Sequence, residues 1–228
     1  MFLTTVFIIC TITCGFAVIQ VIDHDSLGKY VYNIGEIKTY LQYQRLSPAI
    51  FKKVWNYYLL LWKIQNGEHF PAFINNATNY LKEDIMYDIY SHHLLNHFLL
   101  KNTHVDFLRQ LMAHFKKCMF PKSYVIAEKG DIDCCMYFIH SGTVSVIVRN
   151  KYVDDELYTL NKNQSFGELQ GLICSKHKYT YIAKTHVDII MLNKNDWGYL
   201  LKFFPATVEE ILEKVHEHFG ISNIKIDQ

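Results

Sequence analysis

The sequence is short of net charge. It has 23 Lys and Arg against 22 Asp and Glu, for a formal charge of +1. That excludes the broad basic footprint of a nucleic-acid binder, and no basic stripe or recognition motif is present, so no nucleic-acid partner is expected. No CxxC pair occurs among Cys10, Cys14, Cys118, Cys134, Cys135 and Cys174, and Cys134 and Cys135 are adjacent. A zinc ribbon and a disulfide framework are both unsupported, so the cysteines are expected to be reduced, buried thiols. There is no HExxH. "HHLLNHF" holds His92, His93 and His97 without a cysteine or acid set to complete a metal site. These read as surface or interface histidines, and no metal ligand is assigned. No nucleophile–base pair stands out, so no catalytic residue, resident cofactor or enzymatic activity is expected. Repeats and low-complexity runs are absent.

Half of the residues are hydrophobic and 15% are aromatic, which excludes a disordered chain. The apolar residues are concentrated at the start. Residues 1–22, "MFLTTVFIICTITCGFAVIQVI", lack any charged side chain. A helix of that length can cross a bilayer core of roughly 30 Å, and its threonines can bond back to their own helix. A signal peptide would want a basic start and a small-residue cleavage site, and both are poor here. The segment is therefore expected to be a transmembrane helix. Lys29, Lys38, Arg45, Lys52 and Lys53 follow it, which favours a cytosolic C-terminal side.

Residues 23–103 carry helical spacing. In "SPAIFKKVWNYYLLLWKIQNG", Ser47 can cap, Pro48 suits the first helical position and Gly67 can end the helix. Its apolar residues exceed one core-facing stripe, as expected for a helix packed deep in a small domain or against another subunit. Further helices are expected over "NIGEIKTYLQYQRL" and "YLKEDIMYDIYSHHLL". Residues 104–220 begin with a helix, "THVDFLRQLMAHF", with Thr103 as candidate cap. A β-branched and aromatic run then changes the period, with turns at Gly130-Asp131 and Ser141-Gly142. "TYIAKTHVDIIMLN" adds a strand pair. "KNDWGYLLKFF" and "PATVEEILEKVHEHFG" read as closing helices, the last with Val208, Ile211, Leu212, Val215 and Phe219 on one face. Residues 221–228 are expected to be a tail. The fold class is α+β: one N-terminal transmembrane helix, a helical linker, then an antiparallel, jelly-roll-like β-roll flanked by helices.

The stretch most relevant to function is "FGELQGLICSKHKYTYIAKT", residues 166–185. Gly167 permits close approach of backbone to an anion, and "GELQGL" places free N–H groups at a short helix start. The same stretch contains no arginine. With "MYFIHSGTVSVI" before it and a strand after a basic loop, it resembles the cyclic-nucleotide-binding domain. "YNIGEIKTYLQYQRLSPAIFKKVWNYYLLLWK" resembles the linker that joins this domain to the pore in hyperpolarization-activated and cyclic-nucleotide-gated cation channels.

The resemblance implies a division into a transmembrane helix at 1–22, a linker at 23–103, a binding domain at 104–220 and a tail at 221–228. It implies a pocket built on Phe166, Gly167, Glu168, Leu169, Lys178, Tyr179 and Thr180, with Glu168 toward a ribose hydroxyl and Leu169 backbone toward phosphate. The ligand would be cAMP or cGMP. The family clamps phosphate with an arginine in a pattern like Arg-Thr-Ala, where this chain has Tyr179-Thr180-Tyr181. A phenol does not replace a forked guanidinium, so binding is expected to be weak or absent. Lys178 is expected to point away from Tyr179 by strand alternation, as a solvated loop lysine, unless a shift of register in the loop turns it toward the phosphate. The apolar face of the last helix (Val208, Ile211, Leu212 and Val215) would cover the base or, at the same spacing, simply pack into the core, with Lys214 its only late basic group.

The implied role is a regulatory module of a cation (potassium) channel in the plasma membrane, its C-terminal domain cytosolic, assembled as a homo- or heterotetramer with channel subunits. The alternative is a membrane-anchored, non-channel nucleotide sensor or interaction module. One membrane segment holds no voltage sensor, pore loop or filter. The chain is therefore expected not to conduct alone, and to be a fragment, a truncated gene product or an accessory subunit.

Overall fold

The computed structural model describes residues 2–24, 26–65, 76–149 and 154–220. The chain divides into two compact units, Met1–His69 and Phe70–Gln228.

The first unit is helical: α1 (Phe2–His24), α2 (Ser26–Tyr43) and α3 (Pro48–Gln65). In α1, Thr11 Oγ1 donates to Ile8 O at 2.8 Å and Thr13 Oγ1 to Ile9 O at 3.0 Å, so the threonines do bond back to their own helix. Phe7, Ile9 and Phe16 are exposed, as are their neighbours on every face. Over its described residues, however, no helix is long and apolar enough to cross a membrane. The described side chains of α1 begin at residue 4 and end at residue 19, and at 1.5 Å per residue they cover about 24 Å of a roughly 30 Å core. The transmembrane helix expected at 1–22 therefore finds no support among the described residues.

Ser47 caps α3 as expected, its Oγ accepting from the Ile50 N–H at 3.4 Å. The expected stop at Gly67 lies outside the described residues. Within this unit Tyr30 stacks on Trp62 with centroids 4.1 Å apart, and Leu41 and Leu61 are buried. Ile50, Leu59 and Ile64 of α3 stay exposed, so its apolar surplus is not consumed inside the unit.

The second unit starts with α4 (Asn79–Leu95) and α5 (Val105–Ala113). Thr103 does not cap α5. Its hydroxyl turns back to Leu100 O at 2.8 Å, and His104 Nδ1 accepts from the Asp106 N–H at 3.3 Å. Eight strands follow: β1 (Lys116–Phe120), β2 (Val125–Ala127), β3 (Cys135–Ser141), β4 (Val144–Arg149), β5 (Asp154–Leu160), β6 (Ser165–Phe166), β7 (Thr180–Ala183) and β8 (Val187–Asn193). Between β6 and β7 lies the short α6 (Glu168–Ile173), and α7 (Lys194–Leu201) and α8 (Pro205–Phe219) close the unit. The described strands form two four-stranded antiparallel sheets, ordered β1-β8-β3-β6 and β2-β7-β4-β5. This is the expected α+β roll flanked by helices.

Strand alternation explains how the first sheet is used on both faces. Successive side chains point to opposite sides of a strand. Met136 and Phe138 of β3, with Ile190 and Leu192 of β8, join Phe107, Leu111 and Trp197 in a helix-facing core. Tyr137 and Ile139, with Val187 and Ile189, face the second sheet in another core with Val144, Phe166 and Tyr181. A sheet covered on both faces needs near-continuous apolar strands, and "CMYFI" and "VDIIML" supply them. Ile211 and Val215 of α8 are fully buried in the helix-facing core, and Val208 and Phe219 pack against it. Gly220 ends α8 in the left-handed conformation, φ +66°, the usual helix stop.

Cys134 and Cys174 are joined as a disulfide 40 residues apart in sequence. This corrects the expectation of reduced, buried thiols. Cys10 and Cys14 are exposed, and Cys118 and Cys135 are half-buried. Helix α6 lies so close to the start of β3 that a side chain at Gly171 would meet Met136 backbone nitrogen at 2.9 Å. The same approach brings Cys174, at the end of α6, to Cys134.

Candidate functional site

The site is built on the β6–α6 turn and the entry to β7. Gly167 has φ +80°, and a Cβ there would lie 2.8 Å from Cys135 O. Only glycine fits both the left-handed backbone and that approach. The turn releases the chain into α6, and the Gly171 N–H returns to Gly167 O at 2.8 Å.

Glu168 is half-buried at the helix start, and its carboxylate is already engaged. Ser165 Oγ donates to Glu168 Oε1 at 2.7 Å. His97 Nε2 stands 3.7 Å from the same oxygen, within ion-pair reach but too far for a direct hydrogen bond. Burial acts to raise the carboxyl pKa, but His97, Ser165 and the residue's own N–H outweigh it and hold the group below its ordinary value. Leu169, next along, is half-buried.

Phe166 is buried and forms the centre of an aromatic stack. Tyr137 lies on one side at 4.8 Å and Tyr181 on the other at 4.2 Å, both nearly parallel to it. Burial pushes the Tyr181 hydroxyl well above the ordinary phenol range, with Tyr158, Glu168 and Tyr179 adding to the rise. The structure thus brings Glu168, Tyr179 and Tyr181 together, with Tyr158 beside them. What converges there is phenol and carboxylate.

The basic loop does not supply the counter-charge. Tyr179 packs against the inter-sheet core. Lys178 is exposed, its ammonium 5.7 Å from the Tyr179 ring centroid. Lys178 is thus the solvated loop lysine expected, but strand alternation is not the reason, because β7 begins only at Thr180 and both residues sit in the preceding bend. Thr180 is fully buried, and its Oγ1 accepts from the Lys129 N–H at 3.1 Å. Lys214 is anchored elsewhere, donating to Lys101 O at 2.6 Å and Leu99 O at 3.3 Å. Arg109 is paired with Asp84 and lies over the Tyr80 ring.

A second polar group buttresses the stack. Asp133 accepts from Tyr137 Oη at 2.5 Å and lies 3.0 Å from His177 Nε2. Burial acts to raise the Asp133 pKa, but His177, Tyr137 and the Cys134 N–H overcome it and lower it to about 2. Sequence reading missed Tyr181, His97, Ser165 and the Asp133–His177 pair. Tyr181 was within reach, because it stands in the small third position of the Arg-Thr-Ala pattern. The others come from distant segments and leave no local signal.

Residues 117–202 match the family model described as the cyclic nucleotide-binding domain. This segment belongs to that family. The matched unit is a binding domain and not a catalytic one. Similarity to channels extends beyond it. The chain is 21% identical over 195 residues to the human cyclic nucleotide-gated channel alpha-3, covering 83% of this chain and 28% of that protein. It is 20% identical over 188 residues to a voltage-gated potassium channel of Caenorhabditis elegans, covering 82% of this chain and 22% of that protein. A cAMP-dependent protein kinase regulatory subunit of Candida albicans is 30% identical over 97 residues, covering 42% of this chain and 20% of that protein. The chain thus spans less than a third of the length of these relatives.

Proposed function

We propose that this chain is a regulatory module of a cyclic-nucleotide-gated-type cation channel whose binding domain has lost most of its affinity for cAMP and cGMP. One observation carries this reading: the groups that would meet a nucleotide are turned to each other. Tyr179 stands at the arginine position, Thr180 is tied to Lys129, Glu168 to Ser165, and Tyr181 fills the space against Phe166.

Hydrogen bonds to a charged group are worth about 1.5–3 kcal/mol each. Loss of the clamp alone therefore weakens binding by roughly tenfold to a few hundredfold. A carboxylate without a fixed cation weakens it further. The domain then serves as a fixed gating or assembly element, because a ligand shifts a gate only by its difference in affinity for the two states.

On this reading the chain works at the plasma membrane with the binding domain cytosolic. Residues 1–22 form the end of a pore-lining helix, 23–103 the linker, 104–220 the regulatory domain, and the assembly is tetrameric. The similarity to channels over more than four fifths of the chain and the exposed apolar residues of α3 support it. The other reading is a membrane-anchored, non-channel sensor.

The test is a titration of fluorescent cAMP and cGMP onto the full chain, beside a Tyr179→Arg/Tyr181→Ala variant. The wild type is expected to show no saturation in the micromolar range and the variant to gain at least tenfold. Micromolar binding by the wild type overturns the proposal.

A further inference from the structure

The last turn of α4 and the end of β3 bring three histidines together. His92, His93 and His140 each offer an imidazole nitrogen, and the three atoms lie within 4.8 Å of one another. The sequence run "HHLLNHF" is split by the fold. His97 goes to Glu168, and His140, 47 residues beyond His93, takes its place beside the other two.

Several independent features favour a ligand here. His140 stands where the β3–β8 register shifts, between Ile139 and Ser141, and such bulges re-aim a side chain. His93 is 3% exposed, and its Nε2 is the ring nitrogen that faces His140. His93 Nε2 lies 3.0 Å from His140 Nδ1. Two nitrogens bound at about 2.0–2.1 Å to one tetrahedral ion lie about 3.3 Å apart, so the pair is near ligand spacing already.

The cluster also occupies the C-terminal turn of a 17-residue helix, where the carbonyl ends favour a cation. The Tyr90 ring walls it, 5.4 Å from His140 and 6.4 Å from His93. Of the charges acting on His140, Lys117 is matched by Asp188 at 3.4 Å.

We propose that His92, His93 and His140 form a binding site for one divalent transition-metal ion of the zinc class, with the fourth position left to water. Imidazole donors select this class over Ca2+ and Mg2+, which take oxygen. Drawing the three nitrogens together needs rotation of the half-buried His92 and His140 side chains. With two ligands from α4 and one from β3, the ion ties the helix to the β-roll.

The test is a titration of the full chain, without a polyhistidine tag, using Co2+ and then Zn2+. The wild type is expected to take up one Co2+ with the intense visible absorption of a four-coordinate site, and Zn2+ is expected to displace it. His92→Gln and His140→Gln, each checked for an unchanged circular dichroism spectrum, should weaken binding by about tenfold or more. Zn2+ should raise the melting temperature of the wild type and leave that of His140→Gln unmoved. His104→Gln, at an exposed histidine, should leave the titration as in wild type. No saturable binding by the wild type, or equal binding by His140→Gln, overturns the proposal.

Discussion

At position 181 a buried phenol stacks on Phe166 where the Arg-Thr-Ala pattern has a small residue. Position 179 holds another phenol where that pattern has a cation. On the proposed reading the two phenols make an aromatic site of an anion site, with Glu168 held by Ser165 and Thr180 by the Lys129 N–H. Gly167 shows how firmly the turn itself is kept. Gly167→Ala combines a positive φ with a backbone contact at 2.8 Å, and should cost about 1–3 kcal/mol in urea unfolding. Asp133 gives a pH signature. Its pKa falls from 3.8 to about 2 on folding, so its contribution is complete above 3.8 and is lost as pH falls toward 2. Asp133→Asn should lower stability at neutral pH and flatten the loss of stability between about pH 4 and 2, as read by denaturant midpoints. Of these residues, Gly167 and Glu168 were legible because turn chemistry is local. His97, Lys129 and Asp133 were not, because tertiary packing delivers them from far along the chain.

At the scale of elements, periodicity and caps carried most of the information. Ser47, Pro48, Pro205 and Gly220 mark real helix ends, because each acts through its own backbone. Thr103 misled by one position, since its hydroxyl had a competing acceptor in Leu100 O. The switch to period two located the β-roll, and the apolar runs of β3 and β8 follow from a sheet covered on both faces. The Cys134–Cys174 bond was illegible, as no spacing motif encodes a link 40 residues long between a strand start and a helix end. Closing a loop of that size typically stabilises a fold by about 2–4 kcal/mol. Cys134→Ser should therefore lower the melting temperature under oxidising conditions and make it insensitive to reductant, by differential scanning calorimetry.

For the whole molecule, similarity to channels reaches well beyond the matched domain, into the helical first unit. In that unit Ile50, Leu59 and Ile64 are exposed apolar residues on one helix, the kind of surface that assembly covers. Light scattering of the full chain in detergent is expected to report a tetramer, whereas a monomer would favour the anchored sensor. Assembly of this kind is poorly legible in a single sequence, since an uncovered apolar face and a core face share the same pattern. A calorimetric titration of cAMP and cGMP onto the full chain tests the proposed loss of nucleotide affinity most directly. No saturable heat in the micromolar range is the expected result, and a one-to-one isotherm with micromolar affinity would contradict it.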